Sequence, residues 1–109
     1  MTNVLVYKKD GIINAIEIKG HSGFDETGKD IVCSAISILA YTAINAMLEL
    51  VDGKAKYINE DGFLFIEIPN DLDDKKLNKA TCILETVVVG MKSIEMQYGS
   101  YIRIRYKEV

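Results

Sequence analysis

Val4-Leu5-Val6-Tyr7-Lys8-Lys9-Asp10-Gly11-Ile12-Ile13-Asn14-Ala15-Ile16-Glu17-Ile18 sets two β-rich runs on either side of an Asp-Gly pair. Asp-Gly between apolar runs is a strong hairpin signal, so the chain is expected to open with an antiparallel strand pair. The pattern recurs downstream. Ala55 to Asn59 precedes Asp61-Gly62, Phe63 to Ile68 follows, and Pro69 closes the second strand because it has no amide for a ladder.

The segments between the hairpins carry other periods. Lys19 to Lys29 holds Gly20, Gly23 and Gly28 among polar and acidic residues and predicts a loosely packed loop. Asp30 then offers a side-chain oxygen to the first amides of a helix whose apolar run, Ile31 to Val51, stops at Asp52-Gly53. Farther on, Leu77, Ala80, Leu84, Val87, Met91, Ile94 and Tyr98 recur at steps of three and four and fall on one helical face, with Gly99 as its cap. Tyr101 to Tyr106 alternates with period two and reads as a half-buried strand. The order ββα-ββα-β predicts an α+β fold, a largely antiparallel five-stranded sheet with both helices packed on one face.

Length and composition bound the function. A chain of 109 residues can bury one core without disulfide or metal staples, which predicts a single domain over residues 1–109. Its 13 Lys+Arg against 16 Asp+Glu give a formal charge of −3, which argues against direct nucleic-acid binding and suits a cationic partner. Two cysteines, Cys33 and Cys82, lie too far apart for a C-x-x-C motif, and one histidine, His21, leaves no conventional zinc set, so no metal is expected. The start lacks a basic region followed by a long apolar one, which predicts residence in a reducing cytoplasm. Ile31 to Leu48 is uncharged and approaches a membrane span in length. Ser34, Ser37, Tyr41, Thr42 and Asn45 interrupt it, and it is expected to be a buried helix rather than a membrane segment. Two such apolar helices exceed what one small sheet needs to cover it, which predicts a homodimer buried along the Ile31 to Val51 helix.

The chemistry concentrates in residues 20–37, Gly-His-Ser-Gly-Phe-Asp-Glu-Thr-Gly-Lys-Asp-Ile-Val-Cys-Ser-Ala-Ile-Ser. Gly23 to Lys29 matches the G-x-x-x-x-G-K part of a phosphate-binding loop. The match fails at Asp30, where a hydroxyl should meet Mg²⁺, and Asp25 and Glu26 would repel a phosphate. A nucleophilic arrangement fits better. With Asp30 as N-cap, Cys33 is the third helical residue, where first-turn amides and the helix dipole favour a thiolate and could cradle an oxyanion. His21 lies across the glycine loop, within reach as general base and then general acid. The bland alternatives stay open on spacing alone. Cys33 could be an inert buried thiol, Asp30 could orient His21 or only cap the helix, and Ser37 could meet the sulfur or bond the carbonyl four residues back. Cys82, among Ile83, Leu84 and Val87, is expected in the core. Phe63, Phe65 and Tyr57 are expected as core or sheet-face residues, and Arg103 and Arg105 as a solvated strand face.

Gly20-His21-Ser22-Gly23, Gly28, Asp30-Ile31-Val32-Cys33-Ser34-Ala35 and Ser37 together resemble the bacterial ribosomal-processing cysteine protease family called Prp, and length and element order resemble it over the whole chain. The resemblance implies an endopeptidase that removes a short N-terminal extension from a large-subunit ribosomal protein, number twenty-seven of that subunit. It implies Cys33 as nucleophile, His21 as proton acceptor, a homodimer, a glycine loop that reorganises when peptide enters, an apolar pocket for aromatic residues before the scissile bond, and no cofactor. A rival of another class is a non-enzymatic ribosome-assembly factor that binds the same basic protein without cutting it.

Overall fold

The computed structural model describes residues 1–26 and 29–109. The elements run β1 (Thr2–Lys9), β2 (Ile12–Lys19), α1 (Ile31–Leu50), β3 (Tyr57–Glu60), β4 (Phe63–Glu67), α2 (Asp74–Tyr98) and β5 (Ile102–Glu108), which is the ββα-ββα-β order. The five strands form one sheet in the order β3-β4-β2-β1-β5. All neighbours are antiparallel except β1 and β5, which pair in parallel from Thr2 opposite Ile102 to Lys8 opposite Glu108.

The first hairpin forms because Asp10 and Gly11 both take positive φ, 54° and 77°, the combination a two-residue turn needs to follow strand twist. A shift of register between Tyr7 and Lys8 leaves Asn14 unpaired with β1, and its carbonyl accepts the amide of Ile68 at 2.9 Å, tying β2 to the chain beyond β4. The second hairpin is shorter than its sequence suggests: β3 begins at Tyr57, not Ala55, and all four of its residues are exposed at the sheet edge.

Side-chain alternation divides the sheet. Val4, Val6, Ile16, Ile18, Leu64, Ile66 and Ile102 are buried. Both helices cover that face, with α1 against α2 and reaching β4, and α2 over β2 and β5. Met47, Leu84 and Met91 have no exposed surface at the centre of this layer. Side chains of this size contribute roughly 1.5–3 kcal/mol each when fully buried. On the opposite face Tyr7 and Phe65 meet edge to face at 6.3 Å, and Phe63 lies under the Lys19 ammonium.

Two expectations about burial do not hold. By length and composition α1 could cross a membrane, yet only one side of it is buried, through Val32, Ile36, Ala40, Ala43, Ile44 and Met47. Ile31, Ile38, Tyr41 and Leu50 are exposed, because a helix in a two-layer fold has one neighbour layer and an apolar composition on every side cannot all face it. Cys82 is exposed as well. It lies two residues before Leu84, about 200° around α2 from a buried face made by Ala80, Leu84, Val87, Val88 and Met91.

Candidate active site

The site begins where β2 ends. Gly20 takes φ 91°, and a Cβ there would stand 2.8 Å from the carbonyl oxygen of Met1, so only glycine fits without displacing backbone. Its amide donates to the carbonyl of Gly62 at 2.9 Å, which pins the strand end to the β3–β4 turn. His21 therefore emerges beside that turn. Its Nε2 lies 3.7 Å from Oδ1 of Asp61, and a Cβ on Gly62 would approach the same nitrogen to 3.3 Å.

The chain then folds inward around Asp30. Ser22 is only 2% exposed, and its hydroxyl donates to Oδ2 of Asp30. The amides of Phe24 and Asp25 point at the same oxygen, at 3.1 and 3.5 Å, while Oδ1 accepts the Cys33 amide at 2.8 Å. Burial by itself would raise the Asp30 carboxyl, but the Ser22 hydroxyl and the amides of Cys33, Asp25 and Phe24 outweigh it and hold the group below the ordinary carboxylate range. Phe24 anchors the loop on its other side, meeting Tyr98 and Tyr101 edge to face at 5.6 and 5.1 Å.

Of the two roles open for Asp30, the structure shows the cap; its partners are loop and helix donors, and His21 is not among them. Cys33 is the third residue of α1, as expected, and is half-buried. Its own amide is taken by Asp30, which removes it from the first-turn donors available to an oxyanion and leaves those of Ile31 and Val32. Ser34, rather than Ser37, makes the backbone bond, donating to the Asp30 carbonyl at 3.1 Å. Gly23 takes φ 72° with open space around it, and Gly28 lies outside the described residues.

Two cavities meet at the thiol. One of about 290 Å³ runs between α1 and the β2–β4 side of the sheet, lined by Ile36, Tyr41, Asn59, Phe63 and Leu64 among others. The second, about 500 Å³, lies toward the loop and is bordered by Gly23, Asp25, Asp30 and Ser34. His21, Cys33, Ser37 and Asp61 line both. The structure thus brings the nucleophile and base candidates to a single cleft, and no hydrogen bond joins the two among the described contacts. Sequence reasoning missed Asp61, treated only as a turn residue, and the inward-turned Ser22. The one signal for Ser22 was a hydroxyl residue between two glycines beside the histidine. Among the described residues, no group of three His, Cys, Asp or Glu side chains is placed to hold a metal ion. A thiol, an imidazole and a hydroxyl around an open cleft can carry out acyl transfer.

Comparison with known proteins agrees with that chemistry. The family model described as Cysteine protease Prp matches residues 1–103. Ribosomal processing cysteine protease Prp of Bacillus subtilis (strain 168) is 32% identical over 94 residues, covering 84% of either chain. Its counterpart in Staphylococcus aureus (strain Mu50) is 29% identical over 100 residues, 90% of this chain and 91% of its own. Among solved structures, the S. aureus Prp with a covalently linked product peptide superimposes with a TM-score of 0.85 at 29% identity, over 98% of this chain and 100% of the other. The same protease with a substrate peptide gives 0.80 at 28% identity, with the same coverage.

Proposed function

Because the chain belongs to the Prp family of ribosomal-processing cysteine proteases, we propose that it removes the N-terminal extension of a large-subunit ribosomal protein, number twenty-seven, with Cys33 as nucleophile and His21 as proton acceptor. The observation that carries this is the shared cleft: the only imidazole of the chain and the helix-start thiol line the same two cavities.

Catalysis then runs as acyl transfer. The peptide lies in the cleft between α1 and the β3–β4 turn, and His21 takes the proton from the Cys33 thiol. The sulfur attacks the scissile carbonyl carbon, and the oxyanion is met by amides at the start of α1. Collapse of the tetrahedral species breaks the C–N bond, and the leaving amine takes its proton from the imidazolium. Water, deprotonated by His21, hydrolyses the thioester and restores the thiol. Ser37 faces the cleft one turn beyond Cys33, where its hydroxyl meets the sulfur or the peptide. Aromatic residues before the scissile bond occupy the apolar side, against Ile36, Tyr41 and Leu64. Asp25, Glu60 and Asp61 place carboxylates around the same cleft, and the chain's charge of −3 suits a basic substrate.

The enzyme acts as a homodimer in the cytoplasm. The exposed apolar side of α1 favours the dimer, and two free cysteines fit a reducing compartment. Incubation with the extended ribosomal protein, followed by intact mass measurement, tests the activity. A discrete N-terminal loss is expected; an unchanged mass in a stable complex would mean binding without cleavage.

A further inference from the structure

The dipeptide His21-Ser22 lies between two glycines that both take left-handed backbone, Gly20 at φ 91° and Gly23 at φ 72°. Such glycines allow the segment between them to rotate unless side chains hold it. The His21 side chain is a poor hold, since its contact with Asp61 is 3.7 Å long and the two side chains are 63% and 97% exposed. Ser22 is the opposite case: it is buried, and its hydroxyl is bound to Asp30. That carboxylate divides its oxygens, with Oδ2 taking the loop through Ser22 and Phe24 and Oδ1 taking the amide of Cys33.

We infer that Ser22 is a positioning residue: through Asp30, its hydroxyl ties the backbone that carries His21 to the helix start that carries Cys33, and so sets where the imidazole stands relative to the thiol. The inference rests on His21 and Cys33 being the proton acceptor and the nucleophile. The tie acts at short range. Ser22 is the residue after His21, and Asp30 reaches Cys33 directly, so one carboxylate references both partners. Loss of the hydroxyl leaves a buried carboxylate oxygen with amide donors only, and leaves His21 between two glycine hinges with no buried side-chain anchor of its own. Misplacement of a catalytic group lowers the rate of the chemical step more than it weakens binding.

The test uses Ser22→Ala with His21 present and in a His21→Ala background, all carrying Cys82→Ala so that Cys33 is the only thiol. On the extended ribosomal protein, Ser22→Ala is expected to lower kcat by about tenfold with KM within about twofold. Ser22→Thr, which keeps the hydroxyl, is expected to stay within about twofold of the parent in kcat. Alkylation of Cys33 by iodoacetamide, followed by intact mass, reads the same relation without any peptide. Ser22→Ala is expected to slow it when His21 is present and to have no effect when His21 is absent. An unchanged kcat, equal slowing in both backgrounds, or a loss with Thr as deep as with Ala would each overturn the role. If the parent enzyme leaves the ribosomal protein uncut, the proposed substrate is wrong, and the alkylation arm still decides the inference.

Discussion

The imidazole of His21 faces the β3–β4 turn, its Nε2 3.7 Å from Oδ1 of Asp61, and has no contact with the N-cap carboxylate of Asp30. The Asp61 side chain is almost fully exposed, and solvent screens a pair of this kind. Asp61→Asn is therefore expected to change kcat/KM by less than about threefold. A loss of about a hundredfold or more in steady-state turnover would instead make Asp61 the orienting carboxylate of a triad.

The two cysteines are predicted to behave oppositely. Cys33→Ala removes the proposed nucleophile and is expected to abolish cleavage, and His21→Ala is expected to lower kcat by about 10²–10⁴, the usual weight of a general base, its proposed role. Cys82 is exposed on α2 and lines neither cavity at the thiol, so Cys82→Ala is expected to leave turnover and melting temperature nearly unchanged. Product mass after a fixed incubation reads all three variants.

What the sequence made legible was local. Asp10-Gly11 announced its turn because both residues could take positive φ, and Asp30 announced its cap because a carboxylate before an apolar run meets free amides. The α2 face was readable from spacing in its middle, with Ala80, Leu84, Val87 and Met91 buried, while Leu77 near its start is exposed and Ile94 and Tyr98 toward its end are partly buried. Cys82 was misplaced by judging its neighbours in sequence rather than its angle on the helix. The parallel pairing of β5 with β1 and the approach of Asp61 to His21 were invisible for another reason: each joins residues far apart in the chain, and only the sheet order brings them together. Apolar composition alone could not separate a buried side of α1 from one left for a partner.

Gly20 and Gly23 flank His21-Ser22 but should differ in cost. Gly20→Ala combines a positive φ with a Cβ 2.8 Å from the Met1 carbonyl oxygen, and is expected to lower stability by about 2–3 kcal/mol. Gly23→Ala meets open space, so only its φ of 72° is penalised, at about 1 kcal/mol. Urea unfolding of the two variants measures the difference, and equal losses would show that the contact with Met1 relaxes freely.

Asp30 gives the fold an acid limit. Its folded pKa lies below the unfolded value, so the carboxylate contributes stability that is fully present above the unfolded pKa of about 3.9 and is lost as pH falls through the folded one. Asp30→Asn is expected to cost about 1–2 kcal/mol at neutral pH, the scale of a lost cap. The gap between parent and variant in denaturant unfolding should then narrow as pH falls below the unfolded pKa and through the lower folded one. A gap that stays constant over that range would mean that Asp30 charge does not hold the loop to the helix.

The exposed side of α1 makes the last prediction. Ile38 is 62% exposed and Tyr41 44%, on a helix whose first turn carries Cys33. Large apolar side chains grouped on one exposed face are the composition of a surface that another chain covers, and a two-fold dimer would pair the face with itself. Ile38→Glu puts two like charges near that axis and is expected to give the monomer mass by light scattering at micromolar concentration, where the parent gives twice that mass. Because Ile38 lies outside the core, the melting curve of the variant should remain cooperative. A parent that already weighs as a monomer would remove the dimer and leave α1 as an exposed apolar helix in need of another partner.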